Sequence, residues 1–124
     1  MSGSGAGAQG ATILVIDDEK VVRDMLFMVL ARFNYQVLIA AGGLEGMELY
    51  REHAECIDLV LLDLSMPRMS GLEVLVELQA LKPDIRVAIL TGFSEDHPEL
   101  AGIELIYKPF QINELLELVD RLLG

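Results

Sequence analysis

An Asp-Asp-Glu triplet at 17–19, an aspartate at 63, a hydroxyl at Thr91 and an ammonium at Lys108 each stand directly after a short apolar run. Carboxylates gathered in one crevice repel one another unless something positive neutralises them. Hard oxygen donors suit Mg2+, which takes one or two protein carboxylates, keeps waters and leaves room for phosphate oxygens. Lys108 adds a second positive centre. A phosphoryl group on Asp63 would satisfy all parties, contacted by Mg2+, by Lys108 and by the Thr91 hydroxyl. That chemistry is phosphoryl transfer by positioning and electrostatics, with a carboxylate as nucleophile. Singly, these residues say little. A lone aspartate at a strand end is commonly a turn or helix cap, Asp17-Asp18 could cap a following helix, and a lysine before proline is commonly solvated. The agreement of four run-ends carries the reading.

The elements that must hold these residues alternate. Apolar runs rich in Val, Ile and Leu at Thr12–Ile16, Gln36–Ala40, Asp58–Leu62, Arg86–Leu90 and Ile103–Tyr107 read as strands buried on both faces. Helical periodicity fills the gaps. Lys20–Phe33 aligns Val22, Leu26, Val29, Leu30 and Phe33; Gly43–Glu52 is weaker. Gly71–Leu81 aligns Leu72, Leu75, Leu78 and Leu81, and Gln111–Leu123 aligns Ile112, Leu115, Leu116, Val119, Leu122 and Leu123. Thr91–Gly102 contains Gly92, Pro98 and Gly102, so only a short or irregular fourth helix is expected there. Strands alternating with helices make an α/β sandwich on a parallel sheet. In such folds ligands bind beyond the carboxyl ends of the strands, which is where the acidic and basic residues lie.

The 124 residues suit one domain, and 52% apolar content supplies its core. Ser2–Gly10 has four glycines and no large apolar residue, so residues 1–11 read as a flexible leader, tag or linker and 12–124 as the folded unit. No apolar run is long enough to span a bilayer. The single Cys56 cannot form an internal disulfide, which fits a reducing, cytoplasmic setting. A net charge of −11 disfavours direct nucleic-acid binding and docking on anionic membranes. His53, His97 and Cys56 lack metal-ligand spacing, and Cys56 reads as a small buried filler.

The sequence resembles the receiver domain of two-component response regulators. The stretches that carry the resemblance are Ile13–Glu19, Asp63–Gly71, Leu90-Thr91-Gly92 and Lys108-Pro109-Phe110. It implies a doubly wound (βα)5, flavodoxin-like sandwich with a parallel five-stranded sheet of order 2-1-3-4-5. It implies that Asp63 is the phosphoacceptor, taking the group from a phosphohistidine on a histidine kinase or phosphotransfer protein. Asp18, Asp63 and the main-chain carbonyl of Ser65 would ligate Mg2+, with Asp17 acting through a coordinated water. Thr91 and Lys108 would contact the phosphoryl oxygens, the Lys108–Pro109 peptide would be cis, and Gly71 would permit the turn into the third helix. Such a domain is no enzyme in the ordinary sense; its catalysis is limited to its own phosphorylation and dephosphorylation. Ser65 and Phe93 would line the path of the attacking water, and the apolar Phe93 would lengthen the life of the aspartyl phosphate.

The sequence departs from the resemblance at Leu105, where many receivers carry an aromatic switch residue. Tyr107 shares strand parity with Leu105, and Phe27 falls on the polar side of the first helix between Met25 and Met28. Phe27, Leu105 and Tyr107 are therefore candidates for a partner surface. Leu105, Gly92 and the short fourth helix resemble receivers attached to hybrid histidine kinases. Three rivals stand against this reading. A Mg2+-dependent phosphohydrolase needs a general acid that Asp63-Leu64-Ser65 does not offer. A flavin carrier needs a phosphate-binding loop where this chain has Asp17-Asp18-Glu19. A pseudo-receiver, binding proteins without phosphorylation, would have no need of the full residue set.

Overall fold

The computed structural model describes residues 10–92 and 100–124. Phe93, the expected short fourth helix after Thr91 and residues 1–9 of the expected leader lie outside the described residues. The elements in chain order are β1 (Thr12–Ile16), α1 (Lys20–Arg32), β2 (Gln36–Ala40), α2 (Gly43–His53), β3 (Ile57–Asp63), α3 (Gly71–Leu81), β4 (Val87–Thr91), β5 (Glu104–Tyr107) and α4 (Ile112–Leu123). The strands form one sheet of order β2-β1-β3-β4-β5, with every pairing parallel.

Strand alternation divides the core into two. Leu14, Ile16, Val60, Leu62 and Ile89 point to one face and meet Met47 and Tyr50 of α2 and Val74, Leu75 and Leu78 of α3. Ile13, Val15, Leu59, Leu61, Ala88 and Leu90 point to the other, against Leu26 and Leu30 of α1 and Leu115, Leu118 and Val119 of α4. Adjacent residues on a strand face opposite layers, so both faces are apolar and the strands read as near-continuous runs.

The expected stripes hold in their middles and fail at their ends. Phe33 is exposed because α1 stops there; Asn34 takes a left-handed conformation at φ 72° and Tyr35 N–H closes on the Leu30 carbonyl at 3.2 Å. Ile112 and Leu81 are also exposed, and Leu118 is buried in a place the expected stripe left out. Cys56 is exposed in the turn before β3, which corrects its reading as a buried filler. Among the described residues no helix is long and apolar enough to cross a membrane.

Two details fix the acidic end of β3. The strand runs on to Asp63, which pairs with Leu90 of β4. α3 then returns so tightly that a Cβ on Gly71 would strike the Asp63 carbonyl oxygen and the Leu64 Cα. Gly71 thus permits the turn into α3 through close backbone approach. The left-handed residue in this loop is Arg68, at φ 67°.

Candidate functional site

Asp17, Asp63 and Lys108 come from the carboxyl ends of β1, β3 and β5, three strands brought together by the sheet order. Asp17 is completely buried and Asp63 is 3% exposed. One ligand atom from each of Asp17, Asp18 and Asp63 lies within 4.8 Å of the others, with Asp18 on the solvent side. Thr91, at the end of β4, is buried beside them in the strand order. Its carbonyl accepts the Lys108 N–H at 2.7 Å, which locks the start of the cis Lys108–Pro109 peptide to the end of β4.

Lys108 brings a cation to the cluster's carboxylates. Lys108 Nζ lies 2.8 Å from Asp17 Oδ2, 2.9 Å from Glu19 Oε1 and 3.5 Å from Asp63 Oδ1. The Glu19 contact is a directed hydrogen bond. The Asp17 contact is a short charge pair to a fully buried carboxylate oxygen. Burial works against the Lys108 charge, but Asp17, Glu19 and Asp63 outweigh it and hold the ammonium above the usual lysine range.

Asp63 is pushed the other way for a carboxylate. Burial first, then the charge of Asp17, then a hydrogen bond with Asp18 raise it to about 7; Lys108 and the Ser65 N–H oppose the rise. The Ser65 N–H donates to Asp63 Oδ1 at 3.3 Å. A cluster with surplus negative charge, a buried Asp17 oxygen compensated by the Lys108 ammonium at 2.8 Å, and hard oxygen donors from three carboxylates fits a small divalent cation such as Mg2+.

Of the residues singled out for this rim from the sequence, Asp17, Asp18, Asp63, Ser65, Thr91 and Lys108 are brought to it, and Phe93 lies outside the described residues. The candidate partner residues separate. Phe27 and Tyr107 are 46% and 45% exposed, whereas Leu105 is half-buried against the core layer of α2 and α3. Two participants were missed. Glu19 reaches Lys108, and Arg23 Nη1 donates to the Asp17 carbonyl at 2.9 Å, holding the β1–α1 turn. The unbroken Asp-Asp-Glu triplet was the available signal for Glu19, since the third acid has to find a cation as well.

A doubly wound parallel sheet with an acidic pocket and a lysine at its carboxyl edge defines a phosphoacceptor module. Comparison with known proteins agrees: the model of the response regulator receiver domain matches residues 13–120. The chain belongs to that family, the receivers of two-component signalling. It is 34% identical over 116 residues to sporulation initiation phosphotransferase F of Bacillus subtilis, covering 90% of this chain and 92% of that protein. It is also 34% identical over 118 residues to the sensor kinase CckA of Brucella abortus, covering 91% of this chain but 12% of the kinase's length. Among solved structures, the response regulator TrrA of Thermotoga maritima, in complex with Mg(2+)-BeF, superposes with a TM-score of 0.82 at 36% identity, covering 91% of this chain and 99% of that one.

Proposed function

We propose that Asp63 accepts a phosphoryl group from a phosphohistidine on a partner histidine kinase or phosphotransfer protein. The observation that carries this is the meeting of Asp17, Asp18 and Asp63 within 4.8 Å, with Lys108 Nζ at their inner edge. A carboxylate oxygen of Asp63 attacks phosphorus; a P–O bond forms, the P–N bond breaks and its electron pair leaves on the donor imidazole. Asp18, Asp63 and the Ser65 carbonyl would hold Mg2+, with Asp17 through a water. Bound there, the ion would neutralise charge developing on the phosphoryl oxygens. Lys108 pairs with one of those oxygens and the Thr91 hydroxyl donates to another. TrrA's complex with Mg(2+)-BeF, a set of ligands of matching chemistry, supports this assignment.

The module's own chemistry is its phosphorylation and slow hydrolysis. Residues 12–124 form the working unit, residues 1–11 a leader or linker, and the setting is cytoplasmic. Phe27 on α1 and Tyr107 on β5 each contribute an exposed ring for partners to read, and the net charge of −11 keeps this chain itself off nucleic acid. The likeness to CckA supports a receiver of the kind attached to hybrid kinases.

The test is an intact mass spectrum after incubation with a small phosphodonor, with and without Mg2+, for the wild type and Asp63→Asn. A Mg2+-dependent gain of one phosphoryl group, absent in the variant, is expected. No gain in the wild type, with Mg2+ still bound, would instead favour a pseudo-receiver that binds partners without phosphorylation.

A further inference from the structure

We infer that Glu19 is a latch on Lys108: it holds the ammonium in the resting protein, competes with the incoming phosphoryl group for it, and lets go when Asp63 is phosphorylated. This rests on the reading of Asp63 as phosphoacceptor and adds a positioning residue to it.

The geometry gives the competition its direction. Nζ sits closer to Glu19 Oε1, at 2.9 Å, than to Asp63 Oδ1, at 3.5 Å. An ammonium has three donors, and three carboxylates face this one. Two of them cannot leave, because Asp17 and Asp63 are buried at the ends of β1 and β3. The Glu19 side chain is 60% exposed. It stands at the N-cap of α1 without capping that helix, so no local hydrogen bond of its carboxylate resists its departure. It also borders a groove of about 440 Å³ shared with Val22, Met25 and Phe110, which leaves room to swing.

Phosphorylation converts the Asp63 carboxylate into an acyl phosphate of about two negative charges, a gain of about one over the ionised carboxylate, and brings three strong acceptor oxygens beside Lys108. That charge attracts the ammonium and repels the Glu19 carboxylate. Of the three carboxylates around Nζ, the exposed one yields. Until then, Glu19 lowers the availability of Lys108 and slows phosphorylation.

The experiment is a double-mutant cycle on the initial rate of phosphorylation by phosphoramidate, followed by intact mass, with Mg2+ saturating for each variant. Glu19→Gln should react about two- to fivefold faster than wild type, the size expected of a partly exposed ion pair. The same substitution in a Lys108→Ala background should change little, because the effect runs through the lysine. Equal acceleration in both backgrounds would reduce Glu19 to a surplus charge and overturn the latch, as would no acceleration at all. Failure of the wild type to gain a phosphoryl group would strike the phosphoacceptor reading instead.

A second readout needs no turnover. With Mg2+ and beryllium fluoride added to wild-type protein at fixed pH, the 13C signal of the Glu19 carboxylate should move towards that of an exposed glutamate such as Glu55. An unmoved signal, with beryllium fluoride bound, would overturn the release.

Discussion

The helices that follow the two acidic strand ends begin in opposite ways. After β3, α3 starts with a full capping box: Ser70 Oγ accepts the Glu73 N–H at 3.3 Å, and Glu73 Oε1 accepts the Ser70 N–H at 2.9 Å. After β1, α1 starts at Glu19 with no side-chain cap. Polar groups suited to capping are present there but committed elsewhere. Asp17 Oδ1 accepts the Glu19 N–H at 2.8 Å, outside the helix proper, and the Glu19 carboxylate reaches across to Lys108 beyond β5. The β3–α3 junction is thus a rigid mount for Asp63, tightened by Gly71. The β1–α1 junction forgoes helix stabilisation to assemble charge around a lysine 89 residues away in sequence.

The sharpest way to break the mount is Gly71→Ala. Its Cβ would press on backbone atoms of Asp63 and Leu64, which cannot rotate away. The expected loss is about 3 kcal/mol, read as a fall of about 12 °C in thermal midpoint for a domain of this size. The phosphorylation rate should fall as well, because Asp63 is displaced. A variant as stable as wild type would show that the close approach relaxes freely.

The charge cluster should behave as the opposite case, in which removing a functional group stabilises the fold. Asp63 titrates near 7 when folded, against an ordinary 3.8. The native state therefore holds a proton that the unfolded chain has released between those values. Stability is lost as pH rises from about 4 to about 7, and stays lost above. The shift sets a ceiling near 4 kcal/mol; with relaxation around the site, Asp63→Asn in EDTA should gain about 2 kcal/mol at pH 8. The gain should vanish near pH 4. Thermal melts of both proteins across pH check this, and a gain independent of pH would refute the electrostatic cause.

Smaller effects sharpen the contrast between the junctions. Ser70→Ala removes half of the capping box and should cost about 1 kcal/mol in urea denaturation, without changing Mg2+ affinity. Arg68→Gly should gain about 0.5–1 kcal/mol, since its left-handed conformation is strained for a residue with a Cβ. If Arg68→Gly destabilises instead, the Arg68 side chain makes a contribution larger than the backbone strain.

The chemistry-bearing positions were legible because they sit where apolar runs stop: Asp17 after Ile16, Asp63 after Leu62, Lys108 after Tyr107. A parallel strand buried on both faces tolerates polar groups only past its end, so the pattern of hydropathy marks the rim. Helix ends were less legible. Phe33, Leu81 and Ile112 keep the apolar period but lie where a helix has left the sheet, and periodicity alone carries no information about where the core ends. Cys56 was misplaced for the same reason, its exposure being set by the turn that leads into β3.

Sequence alone determined the alternation of strands and helices, the acidic rim and the set of residues fit for phosphoryl chemistry. These are local properties: runs, periods and residue types. Only the tertiary structure decided which acid Lys108 holds, that Asp17 sets a fully buried oxygen against its ammonium, and that Gly71 is demanded by backbone contact. Those depend on distances of a few ångströms between segments far apart in the chain. Such distances come from sheet order and packing, which no single stretch of sequence encodes.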